Sequence, residues 1–216
     1  MTAEGAGSLT LDRAVDWLTR FAARIHAARE YLTGLDAAIG DGDHGINMDR
    51  GFQAVQQKIA GTPAPDLGAL FKTVGGTLVS TVGGASGPIF GTAFLRLGAS
   101  LAGKSSATPV ELGAALQEAY EGMAARGKSG RGEKTVLDSF GPALDAFQAA
   151  AVAGRALPEA TAAAATAAAA GMERTIPLRA TKGRASFLGD NSIGHQDPGA
   201  TSVATLFRTL DDSVQP

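Results

Sequence analysis

The chain has 216 residues, 19 of them basic and 21 acidic, for a net charge of −2 with the histidines neutral. That balance argues against non-specific binding to nucleic acid, which needs a basic face, and leaves no polybasic membrane-surface signal. Cysteine is absent, which excludes disulfides, thiolate metal sites and cysteine nucleophiles. The length suits one domain over 1–216, with residues 1–9 expected to be disordered. No apolar run reaches the length of a membrane span. The start, Met1-Thr2-Ala3-Glu4-Gly5, lacks the charged and apolar regions of a signal peptide. A cytoplasmic protein is expected.

Eight helices are predicted in chain order. Leu11, Ala14, Val15, Leu18, Phe21, Ala22 and Ile25 recur at helical spacing, with Thr10 as N-cap. Met48, Phe52, Val55 and Ile59 make a second stripe. Leu67, Leu70, Phe71, Val74 and Leu78 make a third, opened by Asp66. The fourth begins at Pro88 and carries Phe90, Phe94, Leu97 and Leu101. The fifth starts at Thr108-Pro109-Val110-Glu111, a capping box with proline at the first helical position. Val136, Leu137, Phe140, Leu144 and Phe147 form a sixth, with a distortion expected at Pro142. The seventh runs from Pro158 through an alanine-rich stretch to Met172, and alanine's propensity favours a close-packed helix there. The eighth starts near Pro198 and carries Val203, Leu206, Phe207 and Leu210. Period-two alternation is nearly absent, so the predicted class is all-α.

The 29 glycines gather at 40–51, 75–91, 122–132 and 183–199. Helix connectors do not need so many; loops whose backbone approaches a ligand do. These loops follow the first, third, fifth and seventh predicted helices. In an antiparallel bundle, alternate connections share one end, so a site at one rim is expected.

The first loop holds Asp36, Asp41 and Asp43, two of them alternating with glycine. Carboxylates this close repel unless a cation lies between them. Mg²⁺ takes oxygen ligands, commonly one or two carboxylates plus phosphate oxygens. The cluster reads as a magnesium site serving a phosphorylated ligand; the alternative is a solvated acidic loop. His44 follows at once and lies within reach of a phosphate. Residues 83–88 lead into a helix and offer amides to an anion, or else serve tight helix packing. Residues 126–135 and 182–199 form two further polar connections, the latter with Lys182, Arg184, His195 and Asp197. Asp197 before Pro198 reads as an N-cap that could also meet a ribose hydroxyl.

Three short motif matches fail on context. Gly40, Gly42 and Gly45 fit a dinucleotide fingerprint, but follow a helix and carry two aspartates. Residues 98–105 and 122–129 fit the P-loop expression, but each falls at the end of a helical stripe. An EF-hand needs glutamate where Phe52 stands.

The blocks Leu35-Asp36, Ile39-Gly40-Asp41-Gly42-Asp43-His44-Gly45-Ile46-Asn47-Met48, Ser80-Thr81-Val82-Gly83-Gly84-Ala85-Ser86-Gly87-Pro88, Lys182-Gly183-Arg184-Ala185-Ser186 and Gly194-His195-Gln196-Asp197-Pro198-Gly199-Ala200-Thr201 run in order along the chain. Together they closely resemble the L subunit of the dihydroxyacetone kinase family. The resemblance implies an eight-helix antiparallel barrel with ADP or ATP at one rim. It implies two Mg²⁺ ions on Asp36, Asp41 and Asp43. It places the nucleotide on His44, Gly45, Ile46, Asn47, Ala85, Ser86, Gly127, Arg184, Asp197, Pro198 and Gly199. It also implies a separate K subunit that holds the ketone on its own histidine, with a homodimer of the L chain left open. In the phosphotransferase-linked form, bound ADP is recharged by a phosphohistidine donor protein; in the other form ATP is the substrate. Two positions depart from the common pattern: Gly42, where alanine is common, and Thr181, where a second basic residue is common. The reading is a magnesium-dependent phosphoryl-transfer subunit with no catalytic residue of its own assigned. An L subunit for another short ketose such as erythrulose, and a non-catalytic nucleotide-sensing partner of a regulator, stay open as alternatives.

Overall fold

Thr10 opens the first helix as predicted, its hydroxyl accepting from the Arg13 amide at 3.4 Å. The structure, a computed structural model, describes residues 7–215. Their helices are α1 (Leu11–Ala27), α2 (Arg29–Ile39), α3 (His44–Gly61), α4 (Leu67–Thr81), α5 (Ser86–Ser100), α6 (Pro109–Gly127), α7 (Leu137–Val152), α8 (Leu157–Arg174) and α9 (Pro198–Val214). A 3₁₀ segment, Arg184–Ser192, lies between α8 and α9. Two short strands, β1 (Leu9–Thr10) and β2 (Ser106–Ala107), pair antiparallel.

Two expectations need correction. Nine α-helices stand among the described residues where eight were predicted, because Ala28 breaks the first (φ −92°, ψ 5°) and α2 follows at once. The ladder still runs through the break: Ala28 N–H donates to Arg24 O, and Leu32 N–H to Ala28 O, each at 2.9 Å. Taken as one bent element, α1 and α2 restore the eight-sided plan. The expected disorder over 1–9 does not extend to Leu9, which is fully buried and paired with Ala107. Residues 1–6 lie outside the described residues.

Each helix packs on its neighbours in sequence, and α9 returns to α1, which closes a ring. Aromatic side chains fill the centre. Trp17 meets Phe71 edge-on at 5.9 Å, and Phe21 meets Phe52 at 4.6 Å. The Trp17 indole N–H donates to Leu206 O at 2.9 Å, so the closure of α1 on α9 is dry and satisfied. No helix among the described residues is long and apolar enough to cross a membrane.

The alanine-rich stretch is a close-packed helix, as expected. Ala160, Ala164, Ala165 and Ala168 of α8 are buried, and α8 packs on α7. Pro142 sits inside α7 without ending it. Its missing N–H removes the helical partner of the Asp138 carbonyl. Gly171 packs against that carbonyl: a Cβ there would lie 2.3 Å from Asp138 O. Helix propensity alone makes Gly171→Ala stabilising by about 1 kcal/mol. The overlap with backbone reverses the sign, for a net loss of about 1–3 kcal/mol. The expected fall in Tm is roughly 2–12 °C, read by scanning calorimetry. A Tm unchanged or raised would show that the α7–α8 contact can open.

Candidate functional site

The aspartate cluster is built by glycine. Asp36 stands in the last turn of α2, and Gly40 caps that helix. A Cβ at Gly40 would lie 2.1 Å from Asp36 Oδ1, so only glycine leaves this rotamer room. Gly42 has φ +72°, the left-handed region where a side chain is strained. The departure from alanine at this position therefore relaxes the loop. The chain turns back at once, and one carboxylate oxygen from each of Asp36, Asp41 and Asp43 lies within 4.8 Å of the others. Asp36 Oδ2 also accepts from the amides of Asp43 (2.8 Å) and His44 (3.1 Å), which fixes the start of α3. Three hard oxygen donors at this spacing, with Asp36 and Asp43 part-buried and Asp41 more open, suit a divalent cation such as Mg²⁺.

The other glycine-rich connections come to the same end. A Cβ at Gly84 (φ +65°) would lie 3.9 Å from Asp43 Oδ2, so the 82–85 loop faces the cluster with bare backbone. Ala85 and Ser86 begin α5 there. Asn47 is buried beside Gly83 and accepts from Arg50 at 2.7 Å. Gly45 presses α3 onto α2, where a Cβ would lie 2.1 Å from Arg29 O. Ile46 is half-exposed and lines a flank groove with Arg29, Asp49 and Arg50, which shares no residue with the cluster. Gly127 ends α6 near Ile89 in the first turn of α5. Arg184 Nη2 pairs with Asp41 Oδ2 at 3.1 Å, the one ion pair on the cluster among the described residues. Asp197 caps α9 through the Ala200 amide at 2.7 Å, Pro198 takes the first helical position, and Gly199 packs on Val136. The rim expected from the glycine spacing is present.

His44 differs from the expectation that its ring reaches a phosphate. The ring is buried, with Nδ1 3.0 Å from Ser86 Oγ and Nε2 2.8 Å from Ser202 Oγ. Dehydration pulls its pKa down to about 4, against a smaller opposite pull from Asp36. A neutral imidazole thus ties the starts of α3 and α5 to α9. Ser202 was not foreseen: 158 residues separate it from His44, and no local pattern marks it.

Lys134 was also not foreseen, and the 128–136 connection it stands in meets the 175–197 connection directly. Glu133 accepts from Thr181 Oγ1 at 3.0 Å and lies 3.6 Å from Lys182 Nζ. Thr181, in place of a second basic residue, therefore serves to join two loops. Phe187, 90% exposed, and Ile193 stand out from the segment that carries Arg184. The refused P-loop matches stay refused. Residues 98–105 run from the end of α5 to β2, with Lys104 paired to Glu111 at 2.8 Å, and 122–129 begin inside α6.

Dehydration raises the Asp197 carboxyl to about 7; the Asp138 and Asp36 charges add to this, while the Ala200 amide and Lys134 oppose it.

Residues 38–212 match the family model described as the DAK2 domain. The chain is 43% identical over 203 residues to the PEP-dependent dihydroxyacetone kinase, ADP-binding subunit DhaL, of Escherichia coli (strain K12), covering 94% of this chain and 97% of that one. It is 38% identical over 206 residues to the PTS-dependent dihydroxyacetone kinase, ADP-binding subunit DhaL, of Lactococcus lactis, covering 95% and 99%. Among solved structures it is similar to the dihydroxyacetone kinase from C. freundii in complex with AMP-PNP and Mg²⁺, with TM-score 0.68 and 27% identity. That match covers 95% of this chain and 34% of the C. freundii chain.

The raised Asp197 pKa has a stability consequence. Between the ordinary value of 3.8 and about 7, the folded chain holds a proton that the unfolded chain has released. Stability therefore falls as pH rises through that window. Asparagine keeps the cap and cannot ionise. Melting curves of metal-free protein should show a shallower fall with pH for Asp197→Asn than for the natural chain. Equal slopes would place the Asp197 carboxylate in water.

Proposed function

This chain belongs to the DAK2 domain family, and we propose that it is the ADP- and Mg²⁺-binding phosphoryl-transfer subunit of a phosphotransferase-linked dihydroxyacetone kinase. One observation carries the reading. Three aspartates converge with glycine-rich loops at one rim, in a chain similar over nearly its whole length to ADP-binding subunits of such kinases.

In this reading Asp36, Asp41 and Asp43 hold two Mg²⁺ ions. The ions would neutralise the phosphate oxygens and fix their positions. The residues around them do the rest. The bare backbone at 83–86 and the start of α5 offer N–H donors to the phosphates. Arg184, already beside Asp41, donates to a phosphate oxygen and balances the carboxylates. His44, Gly45, Ile46 and Asn47 form the wall at the start of α3, the histidine through its position and its bridge to Ser86. Gly127 leaves the base side open. Asp197, with Pro198 and Gly199, meets the ribose end. Phosphoryl transfer needs positioning and charge neutralisation more than covalent help. The acceptor is supplied by a separate K subunit that holds dihydroxyacetone, and Phe187 and Ile193 give that subunit an apolar contact beside the rim. A phosphohistidine donor protein would supply the phosphoryl group to the bound ADP, leaving its own histidine free.

A second reading, in which ATP exchanges as a substrate, is favoured by the similarity to the C. freundii kinase bound to AMP-PNP and Mg²⁺. Reconstitution with a K subunit separates the two. The proposal predicts dihydroxyacetone phosphate formation from a phosphohistidine donor with ADP only in catalytic amount. Formation only with ATP selects the second reading. Nucleotide binding without any transfer would make the chain a sensing partner instead.

Two binding measurements test the site itself. Asp41→Ala and Asp43→Ala should each weaken Mg-ADP binding roughly 30-fold or more by calorimetry, while the helical signal is kept. Lys104→Ala should bind as the natural chain does. Mg²⁺ and ADP together, at about 100 times Kd, should raise Tm by roughly 5–11 °C, and chelation should reverse the shift. Unchanged affinity in both aspartate variants would remove the metal from the account.

A further inference from the structure

Lys134 is the most unusual residue outside the aspartate cluster. It is 1% exposed. Its backbone is left-handed at φ 60°, which among the described non-glycine residues is shared only with Lys128. Such strain persists where surrounding structure enforces it. The three N–H groups of its ammonium face four main-chain carbonyls, so one N–H is shared: Thr175 O at 2.6 Å, Leu178 O at 3.2 Å, Ile176 O at 3.4 Å, and His195 O. It makes no ion pair with a carboxylate among the described residues. Carbonyls only accept, and an ammonium only donates, so the cage holds the side chain as it would hold a small cation. Dehydration lowers the lysine pKa, and the charges of Asp197 and Asp138 act against this.

The four carbonyls belong to both ends of one strap. Residues 175, 176 and 178 leave α8, and residue 195 precedes the cap of α9. The ends are also stitched directly, Gly194 N–H to Ile176 O at 2.8 Å and Asp197 N–H to Thr175 Oγ1 at 3.0 Å. Between them the strap carries Arg184 out to Asp41.

We propose that Lys134 is a positioning residue for the nucleotide: its ammonium is the internal cation around which the 175–197 strap closes, so that Arg184 and residues 197–199 face the aspartate cluster. This rests on the nucleotide reading of the site. Without the ammonium, Leu178 O and His195 O lose this donor, Thr175 O and Ile176 O keep one backbone N–H each, from Leu178 and Gly194, and the tie between the two ends of the strap weakens. The lysine itself touches no ligand.

The test is calorimetric titration of Mg-ADP into the natural chain, Lys134→Met, Lys134→Ala, Arg184→Ala and Lys134→Met with Arg184→Ala. Lys134→Met should weaken binding about tenfold or more, and the double variant should be no weaker than about twofold beyond the weaker single variant. Lys134→Ala leaves the cage open, and ethylammonium or ammonium ions should restore most of its affinity. Tetramethylammonium, which has no N–H, should not. A natural chain that fails to bind Mg-ADP overturns the nucleotide reading. A natural chain that binds, with Lys134→Met equally tight, or additive losses, or no rescue, overturns the positioning role alone. Should neither lysine variant fold, hydrogen exchange on the natural chain decides. Mg-ADP should slow the amides of 175–178 and 133–135 together, and slowing of the first without the second overturns the proposal.

Discussion

Mutual repulsion among three carboxylates is the constraint on which this structure turns. Asp36, Asp41 and Asp43 offer oxygens within 4.8 Å of one another, and Arg184 is the one cation paired with them among the described residues. Such a cluster is unfavourable for an isolated chain, because like charges this close repel. The fold holds it by covalent and steric means. Gly40 leaves room for the Asp36 rotamer, Gly42 turns the chain, and the Asp43 and His44 amides bind Asp36 from behind. In the proposed function, that repulsion is what a hard cation carrying phosphate would relieve.

Closure of the helical ring is what allows that tolerance. Consecutive helices pack side by side, and α9 seals against α1 through a buried indole and its hydrogen bond to Leu206. Because alternate connections share an end, the four glycine-rich segments meet without any long excursion of the chain. Two devices then cross-link the rim from beneath. One is neutral His44 between Ser86 and Ser202; the other is Lys134 among its carbonyls. Both are buried; His44 stands in the wall of the proposed nucleotide site, and Lys134 lies behind it.

Much of this was legible in the sequence because it is local. Thr10, Asp66 and Thr108 cap the helices they were expected to cap. The aspartates announce themselves by spacing, and the glycine clusters predict a shared rim. What could not be read is tertiary or made of backbone. The break at Ala28 carries no glycine or proline, so α2 merged with what precedes it. The ring of His44 looked free because Ser202 is 158 residues away. Lys134 did not stand out within the polar 126–135 connection, because its partners are main-chain carbonyls that leave no trace in side-chain patterns. The resemblance to the L subunit supplied the nucleotide residues, and the DAK2 family match over residues 38–212 agrees with its source.

The central claim is that the aspartate rim exists to hold a magnesium-bound nucleoside diphosphate. Native mass spectrometry of the protein exchanged into Mg²⁺ and ADP tests it most directly. The account predicts a species heavier than the chain by one ADP and two Mg²⁺, lost together on chelation and absent from Asp43→Ala. A chain that keeps its bare mass in Mg²⁺ and ADP, or that binds ADP equally well after chelation, would contradict it.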